Sequence, residues 1–338
     1  MTVLIIAHSD YRDDIREVTA ALGARGARVI RLDTDALPTA TRLSLGYGGQ
    51  RSAVRLAGGE EIDPEGVSAV WLRGFREGAA LPEMDPEHRR VCVEAAETSL
   101  TGLLAKVGGF QLDPQERVRR AENKPLQLGL AEALGLSLPA TLISNDPDEV
   151  RAFVRSCRGG AITKMVVPQF VREGEEEGEF ELVYTNPVTP EALEDLDGLH
   201  LCPMIFQERV PKALEVRVTV VGRRVFSAAV DSQIAEGARD DWRRDQGPLA
   251  GTWRPHDLPG EVEEKLLRLL DSLGLEFGGI DLILTPEGRY VFLEVNPLGS
   301  FSWLEHNLWE RSFPISGTIA DLLLGRAPLR IPRSSARP

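Results

Sequence analysis

Two short segments near the end of the chain constrain the fold most, because each has the pattern of a β-strand that carries a carboxylate. Residues 277–285 and 289–296 are rich in β-branched, aromatic and other apolar residues. Pro286-Glu287-Gly288, which lies between them, is typical of a turn. The pattern therefore predicts that the two strands form an antiparallel hairpin.

The polar side chains of this hairpin indicate a metal site. Side chains alternate along a strand, so Glu294 and Asn296 should share one face, and Asp281 on the partner strand can face the same side. The opposite face is then predicted to carry Val291, Leu293 and Val295. Two carboxylates and an amide oxygen, without His or Cys, suit a hard cation, Mg²⁺ above all, which commonly shares nucleotide phosphates as ligands. A surface hairpin with two solvated acids is the alternative, but a carboxylate inside an apolar run is costly to bury without a cation or partner.

Length, charge and cysteine content exclude several other classes. A chain of 338 residues is long enough for two or three structural units. No run reaches the ~18 apolar residues of a membrane span, and residues 1–8 lack the basic start of a signal peptide, so we expect a cytoplasmic protein with no membrane partner. A net charge of −13 argues against a nucleic-acid partner. Cys92, Cys157 and Cys202 are odd in number and far apart, which favours buried free thiols.

The order of strand and helix patterns predicts a mixed α/β (α+β) fold in several parts. Residues 1–114 alternate between strands and helices and form an N-terminal α/β domain whose pattern breaks at residues 108–114. A central unit over residues 115–205 opens with one helix at residues 115–134, which ends at Gly135. Residues 206–326 are mostly strands, with a helix at residues 261–273 packed on them. Residues 327–338 are a tail that we expect to fray.

Scattered cations, rather than a glycine-rich loop, are the candidates for binding phosphate. The chain has no P-loop, and no Gly-x-Gly-x-x-Gly follows a strand. Lys164 lies inside the apolar strand of residues 161–166, where a lysine normally has an anionic partner. Arg217 alternates with apolar residues on the strand of residues 215–221. Lys124 lies on the first helix of the central unit, and a solvated helix lysine is the alternative there.

Together these residues resemble an ATP-grasp ligase. The resemblance rests on Lys124, Lys164, the strand end at residues 206–210, the strand at residues 215–222, and Asp281 with Glu294-Val295-Asn296-Pro297. Longer stretches, which extend the resemblance from about Thr2 to Arg326, narrow it to the microviridin-type graspetide macrocyclases: residues 120–128, 202–208, 229–233, 241–244, 292–297 and 303–305. The resemblance implies an ATP-grasp fold with an N-terminal α/β domain, a central subdomain and a C-terminal antiparallel-sheet subdomain, and ATP between the last two.

The family closes rings in ribosomally made precursor peptides, which consist of a leader and a core. The resemblance implies that ATP, with Mg²⁺, phosphorylates an Asp or Glu side chain, which a Thr or Ser hydroxyl or a Lys amine then attacks to form a lactone or a lactam. Ester and amide both stay open, since the nucleophile belongs to the substrate. The resemblance also implies a homodimer. The alternatives are a grasp-type carboxylate–amine ligase acting on a small molecule or a protein C-terminus and, in another class, a non-catalytic nucleotide-binding protein.

The resemblance implies a role for each candidate residue. Lys124 and Lys164 would hold the ATP phosphates, and Asp281, Glu294 and Asn296 would hold one or two Mg²⁺. Arg217 would meet the transferring phosphate and Arg243 would stabilise the acyl phosphate, so Arg217, Arg243 and Lys164 are the catalytic candidates. The hinge that faces adenine would be Gln207, Glu208, Arg209 and Val210, with Glu215 near the ribose. Phosphoryl transfer depends mainly on positioning and charge neutralisation, which fits these roles.

The resemblance also places the leader peptide, as a short helix beside a hairpin and a helix of the central subdomain. These correspond to residues 179–186, which include Tyr184, and to residues 189–196. Thr189-Pro190-Glu191 is typical of an N-capped helix start. Glu191, Glu194 and Asp195 would give this helix an acidic side that could pair with a basic residue of the leader. A solvated acidic face is the alternative.

Overall fold

The structure, a computed structural model, describes residues 1–75, 80–167, 170–172, 180–182, 184–308 and 313–331. Its strands are β1 (Thr2–Ala7), β2 (Arg28–Asp33), β3 (Arg42–Ser44), β4 (Ala53–Arg55), β5 (Glu61–Ile62), β6 (Ala69–Leu72), β7 (Phe110–Leu112), β8 (Thr141–Ser144), β9 (Ala161–Met165), β10 (Phe170–Arg172), β11 (Phe180–Leu182), β12 (Asn186–Pro187), β13 (Met204–Glu208), β14 (Leu214–Val221), β15 (Arg224–Val230), β16 (Arg254–Pro255), β17 (Phe277–Leu284) and β18 (Tyr290–Asn296). Its α-helices are α1 (Asp13–Gly23), α2 (Pro86–Lys106), α3 (Gln115–Ala121), α4 (Lys124–Ala133), α5 (Pro147–Ser156), α6 (Pro190–Glu194), α7 (Gly260–Leu273), α8 (Ser302–Asn307) and α9 (Ile315–Leu323). Within the described ranges, none of these helices is both long and apolar enough to cross a bilayer.

A parallel sheet with strand order β2-β1-β6-β7 forms the first unit, as the alternating pattern predicts. The small sheet β3-β4-β5 is antiparallel. The pattern break predicted at residues 108–114 is wrong in part, because Phe110–Leu112 continues the parallel sheet as β7. The expectation of buried thiols is also wrong, since Cys92 and Cys157 are half-buried and Cys202 is exposed.

The single helix predicted at residues 115–134 is two helices, α3 and α4. Asn123 separates them, because its side-chain oxygen accepts the backbone N–H of Leu126 at 3.0 Å and so caps a new helix. Lys124 is therefore the first residue of α4. Gly135 follows the helix end with a φ of +71°, as predicted for this position.

The central sheet is antiparallel and small, with strand order β12-β9-β13-β8. Its hydrophobic cluster has only three fully buried members, Val150, Leu199 and Phe206, among the described residues. The predicted boundary between residues 205 and 206 falls inside β13, which pairs with β8 and β9 over its whole length. The strand pair β10 and β11 is also antiparallel.

The C-terminal sheet, with strand order β16-β15-β14-β17-β18, is larger and antiparallel. Helix α7 packs on one face, as predicted, through Leu266, Leu269, Leu270 and Leu273, which are fully buried. Helices α3 and α4 pack on this sheet too, since Ala121 and Ala131 belong to the same hydrophobic cluster. Lys124 is thereby brought next to β18.

After β18 the chain returns to the N-terminal unit. Helix α9 packs against α1, and Ile319 and Leu322 share a core with Val3, Ile5 and Trp71 of the first sheet. The expected fraying is wrong for residues 327–331, because the buried Arg330 donates to Asp271 at 2.6 Å and to backbone carbonyls. Residues 332–338 lie outside the described ranges. The first and last parts of the chain thus share one core.

Candidate active site

The site is built on the hairpin of β17 and β18, which we call the carboxylate hairpin. Asp281 and Glu294 are directly opposite each other across the two strands. The Asn296 amide joins them, because its Nδ2 donates to Asp281 Oδ2 at 2.9 Å and to Glu294 Oε1 at 3.4 Å. The three side chains proposed as metal ligands therefore touch one another.

The predicted alternation of side chains fails at one place in this hairpin. The register shifts between Asp281 and Leu282, so that Leu282 lies opposite Phe292 and Leu293 has no opposite residue. Leu293 consequently lines the same cavity as Glu294, while Phe292 and Val295 enter the hydrophobic cluster under α7. The expectation that Val291, Leu293 and Val295 share the apolar face is thus wrong for Leu293, and Phe292 rather than Val291 joins Val295 in that cluster. A bulge of this kind leaves no sign in the alternation of residue types.

Cations surround both carboxylates. Lys124 Nζ is 2.8 Å from Glu294 Oε2 and Arg243 Nη1 is 4.0 Å from Oε1. Burial alone would raise the pKa of Glu294, but the charges of Lys164, Lys124 and Arg243 outweigh burial and hold this pKa well below its usual range. Glu294 is therefore an anion held among three cations.

Arg217 pairs with the second carboxylate. Arg217 lies opposite Asp281 in the sheet, and its Nη1 donates to the two Asp281 oxygens at 3.0 and 3.2 Å. A Cβ at Gly279 or at Gly299 would collide with the Arg217 guanidinium. These two glycines therefore make room for the arginine, and the close approach explains glycine inside β17.

Lys164 projects from β9 of the central sheet toward the same carboxylates. Burial lowers the pKa of Lys164, and the nearby Glu294 opposes this shift. Lys164 and Lys124 line one cavity together with Arg243, Glu215 and Glu294. The central and C-terminal sheets thus face each other across a charged cavity.

Arg243 is oriented by a neighbour that the sequence analysis did not single out. Asp241 is buried and accepts from Arg243 Nε at 2.8 Å, from its Nη2 at 2.7 Å and from the backbone N–H of Thr185. Trp242, between them, packs against Trp253 and Trp303. The Asp-Trp-Arg-Arg sequence carried this signal, since an acid two residues before an arginine can fix its guanidinium.

Gln127 is a second residue that sequence reasoning missed. Its buried side-chain amide donates to Val295 O at 2.8 Å and accepts from Val295 N at 2.8 Å. Val295 lies between Glu294 and Asn296, so α4 fixes the backbone that presents both. A buried glutamine on an otherwise apolar helix face was the available signal.

The residues predicted to face adenine and ribose lie at the end of β13 and on β14. Burial raises the pKa of Glu215, and its partner Lys212, at 2.9 Å, opposes this shift. Glu215 lines the charged cavity, but the hinge residues are not among the described residues that line it: Gln207, Glu208, Arg209 and Val210. The backbone N–H groups of Glu208 and Arg209 already donate to Ala140 O and Gly160 O.

The residues predicted to bind the leader separate into two places. Glu191, Glu194 and Asp195 are exposed on or just after α6, whose N-cap Thr189 accepts from Ala192 N as predicted. Tyr184 instead lines a second cavity, of about 510 Å³, with Arg244 stacked at 5.4 Å over its ring. Residues 179 and 183 of the predicted hairpin lie outside the described ranges.

The second cavity adjoins the first, and both are lined by Lys124, Trp242, Arg243, Asp281 and Asn296. A Mg²⁺ ion fits the donor set between them, since two carboxylates and an amide can each offer an oxygen. Among the described residues no cluster of three or more His, Cys, Asp or Glu side chains is suited to a metal. Two carboxylates and one amide are a small set of protein ligands, as is usual for Mg²⁺ that also binds phosphate oxygens.

Comparison with known proteins finds similar chains over almost the whole length. A family model described as the MvdD pre-ATP grasp domain matches residues 2–119. The macrocyclase MdnC of Microcystis aeruginosa MRC, solved with precursor peptide MdnA, is 40% identical in sequence and superposes with a TM-score of 0.84. The match covers 96% of this chain and 100% of that chain. A RiPP-associated ATP-grasp ligase of Chryseobacterium gregarium, solved with ADP and a leader and core peptide, is 34% identical, with a TM-score of 0.87 and coverage of 98% and 99%.

Sequence relatives outside this group are more distant. A probable alpha-L-glutamate ligase of Enterobacter sp. strain 638 is 26% identical over 192 residues, which cover 56% of this chain and 60% of that relative. Fold and site define the chain as an ATP-grasp ligase. With MdnC as a full-length relative at 40% identity, the chain belongs to the family of ATP-grasp macrocyclases of ribosomally synthesised and modified peptides.

Proposed function

We propose that this enzyme closes rings in a ribosomally made precursor peptide by joining Asp or Glu side chains to Thr or Ser hydroxyls or to Lys amines. The observation that carries the proposal is the pair of adjoining cavities that share Asp281 and Asn296 of the carboxylate hairpin. One cavity is lined by Lys124 and Lys164, which suits the phosphates of ATP. The other is lined by Tyr184, Trp303 and Gln246, which suits a peptide.

Asp281, Glu294 and Asn296 would hold Mg²⁺ at the boundary between the cavities. When bound, ATP with Mg²⁺ supplies the phosphoryl group that activates the substrate carboxylate. The protein's own contribution is electrostatic: Lys124 and Lys164 neutralise phosphate charge, and Arg217 faces the transferring group. Arg243, held by Asp241, is fixed before substrate binds, so it can stabilise developing charge without reorganising.

The nucleotide base and the leader would bind at the edges of this centre. Gln207, Glu208, Arg209 and Val210 would offer backbone groups to adenine, and Glu215 would lie near the ribose. Glu191, Glu194 and Asp195 would contact the leader helix. The position of Tyr184 beside the second cavity supports a contact close to the reacting part of the peptide.

The test is incubation of the full chain with ATP, Mg²⁺ and a leader-bearing precursor whose core contains Thr and Asp or Glu. Each ring formed removes one water from the peptide, and ADP should appear only when peptide is present. Free glutamate with a small carboxylate acceptor is the matched alternative substrate, suggested by the glutamate-ligase relatives. Amide formation with free glutamate, and no ring in any precursor, would assign the chain to that second function.

The homodimer, which the resemblance implies, and the cytoplasmic location, which we expect from the sequence pattern, both stay predictions. Light scattering of the purified full chain, with and without precursor, measures the oligomeric state directly. A monomer in both conditions would contradict the first of them.

A further inference from the structure

A buried ion pair of the N-terminal unit holds the loop that follows the carboxylate hairpin. The side chains of Arg73, just after β6, and Asp14, on α1, are 0% and 1% exposed, with Arg73 Nη2 2.8 Å from Asp14 Oδ2. Tyr11 donates to the same Asp14 oxygen at 2.6 Å. This pair lies outside the nucleotide and peptide cavities, and the chemistry described above does not use it.

Both members of the pair bind residues 297–302, which we call the post-hairpin loop. Arg73 Nη2 donates to the carbonyl oxygens of Leu298 and Gly299, each at 3.1 Å. Asp14 Oδ1 accepts from the backbone N–H groups of Phe301 at 3.2 Å and Ser302 at 2.8 Å. It also accepts from the Ser300 hydroxyl at 3.2 Å. Five consecutive residues of the loop are therefore fixed by one buried pair.

The same loop reaches the reaction centre from its other side. It begins directly after Asn296, whose carbonyl accepts from Gly299 N at 3.1 Å. Arg217, the partner of Asp281, donates to Ser300 O at 3.3 Å. Leu298, Gly299 and Ser300 also line the second cavity. The loop is thus held between the Arg73 guanidinium behind it and the Arg217 guanidinium in front.

The surroundings of Arg73 favour positioning over a general contribution to stability. Its guanidinium lies within 5.3 Å of the ring centres of Tyr11, Trp71 and Phe277. Its Nε and Nη1 have no hydrogen-bond partner in the described structure. A buried arginine with unsatisfied donors is costly, and apolar residues of similar volume would fill such a place without that cost. What an apolar pair could not do is bind the loop carbonyls and N–H groups.

We infer that Arg73 and Asp14 are positioning residues for ring closure, because they fix the position of the post-hairpin loop. Through this loop they fix the positions of Arg217, Asn296 and the wall of the peptide cavity. This inference rests on the proposed macrocyclase function. It assigns to the N-terminal unit a part in the chemistry that takes place between the other two sheets.

The test compares two double variants of the full chain. Arg73→Met with Asp14→Leu removes the pair without leaving one buried charge alone, and Arg73→Lys is a milder second variant in which both charges are kept. The matched control is Arg25→Met with Asp321→Leu. That pair joins the segment just after α1 to the C-terminal part of the chain, with Arg25 Nε 2.7 Å from Asp321 Oδ1, but it touches α9 rather than the loop.

Three measurements are made on each protein: hydrogen exchange of the amides in residues 297–302, ATP affinity without peptide, and kcat and KM for a leader-bearing precursor. We expect the Arg73/Asp14 double variant to lose exchange protection in the loop and to show kcat lowered by about 10- to 100-fold, with ATP affinity changed by about twofold or less. Arg73→Lys, which keeps the charge, should recover part of kcat. The Arg25/Asp321 control should keep both loop protection and kcat.

Several outcomes would overturn the inference. Loss of loop protection with full kcat would show that the loop position does not matter for chemistry. An equal loss of kcat in the control, or ATP affinity that falls in step with rate, would indicate a general structural role. Failure of the proposed function looks different: the unmodified chain would then form no ring, while hydrogen exchange would still report whether the pair holds the loop.

Discussion

The carboxylates of the hairpin between β17 and β18 lie among cations, whereas those of α6 face solvent. Glu294 is buried and meets Lys124 at 2.8 Å, and Asp281 meets Arg217 at 3.0 Å. Glu191, Glu194 and Asp195 are exposed. The hairpin belongs to a five-stranded sheet with a leucine-rich core, while α6 packs on a small cluster.

The difference in burial fits two different tasks, the stabilisation of charge during the reaction and the capture of a peptide. Charges that act on a transition state must be held in place before the substrate arrives, and a large rigid sheet does this. A surface that captures a peptide can rely on exposed charges, which mainly affect association rate. We therefore expect substitutions at the hairpin to affect chemistry strongly, and substitutions at α6 to affect peptide capture weakly.

The largest effect is expected for the hairpin carboxylates. Asp281→Ala or Glu294→Ala should abolish ring formation with the fold retained, since each removes a ligand from a site whose charge stabilisation contributes on the order of several kcal/mol to the transition state. Mass spectrometry measures ring formation, and circular dichroism measures whether the fold and its unfolding are unchanged. Glu261→Ala, on the exposed side of α7, is the matched control. Near-normal turnover of either hairpin variant at saturating Mg²⁺ would overturn the metal assignment.

Arg243→Ala should lower kcat by about 10²- to 10³-fold and leave nucleotide affinity nearly unchanged, because its guanidinium acts on charge that develops after ATP is bound. The double variant with Asp241→Asn should add little, since Asp241 acts through Arg243. Nucleotide titration measures the affinity, and single-turnover ring closure measures the rate of the chemical step. A fall in ATP affinity that matched the fall in rate would instead make Arg243 a residue that binds the ground state.

Lys164→Ala should weaken ATP binding by about 1.5–3 kcal/mol, the range of hydrogen bonds to charged groups. Lys106→Ala is the control. Lys106 Nζ donates to Gly46 O at 2.6 Å and lies over the Tyr47 ring, far from the charged cavity, so its loss should change stability and not ATP affinity. Isothermal titration with a non-hydrolysable nucleotide compares both variants. Equal, small effects would remove Lys164 from the nucleotide site.

The smallest effect is expected at the acidic surface of α6. The triple variant in which Glu191, Glu194 and Asp195 become Lys should need a higher precursor concentration for half-maximal rate. The loss of binding free energy should be less than ~1 kcal/mol for each ion pair with the leader, and the dependence of the rate on ATP should not change. Precursor titration at two salt concentrations measures this, because screening should reduce the difference at high salt. The control triple variant changes Glu261, Glu264 and Glu287 to Lys, the same charge change on another surface.

Unchanged titration curves for the α6 variant, with a leaderless core peptide turned over at the full rate, would eliminate the leader surface. The acids of α6 would then be a solvated face. A large effect of the α6 variant on kcat would contradict the contrast with the carboxylate hairpin, since it would mean that the acids of α6 take part in the chemical step.

Local patterns predicted most elements of the fold. Asp85 caps α2 ahead of Pro86, and Asp146 caps α5 ahead of Pro147. Such signals lie within a few residues of the element that they define, so a single sequence carries them. The break between α3 and α4 was missed because a single capping residue is a weak signal inside a long helical pattern. Asn123-Lys124-Pro125 nevertheless contains both the cap and a Pro in the first turn.

The candidate site was predictable as a set of residue types and not as a geometry. Asp281, Glu294 and Asn296 could be grouped because strand pairing brings near neighbours in the chain together. Lys124 and Lys164 could be chosen from their surroundings and the resemblance, but no local signal says that they meet at Glu294. Gln127 and Arg73 were missed because their roles depend on partners 168 and 226 residues away. Asp241 was missed although its partner Arg243 is only two residues away.

Residue types along the chain were enough to predict most elements, the family resemblance and the chemical character of the site. Most of these predictions follow from propensities, caps and alternation, which act over short distances along the chain. Three features became visible only in the folded chain: the bulge that turns Leu293 to the cavity, the packing of α4 on β18, and the return of the chain to the N-terminal unit. The packing of α4 and the return of the chain depend on the burial of large apolar surfaces against one another, and such burial joins segments that no local pattern connects.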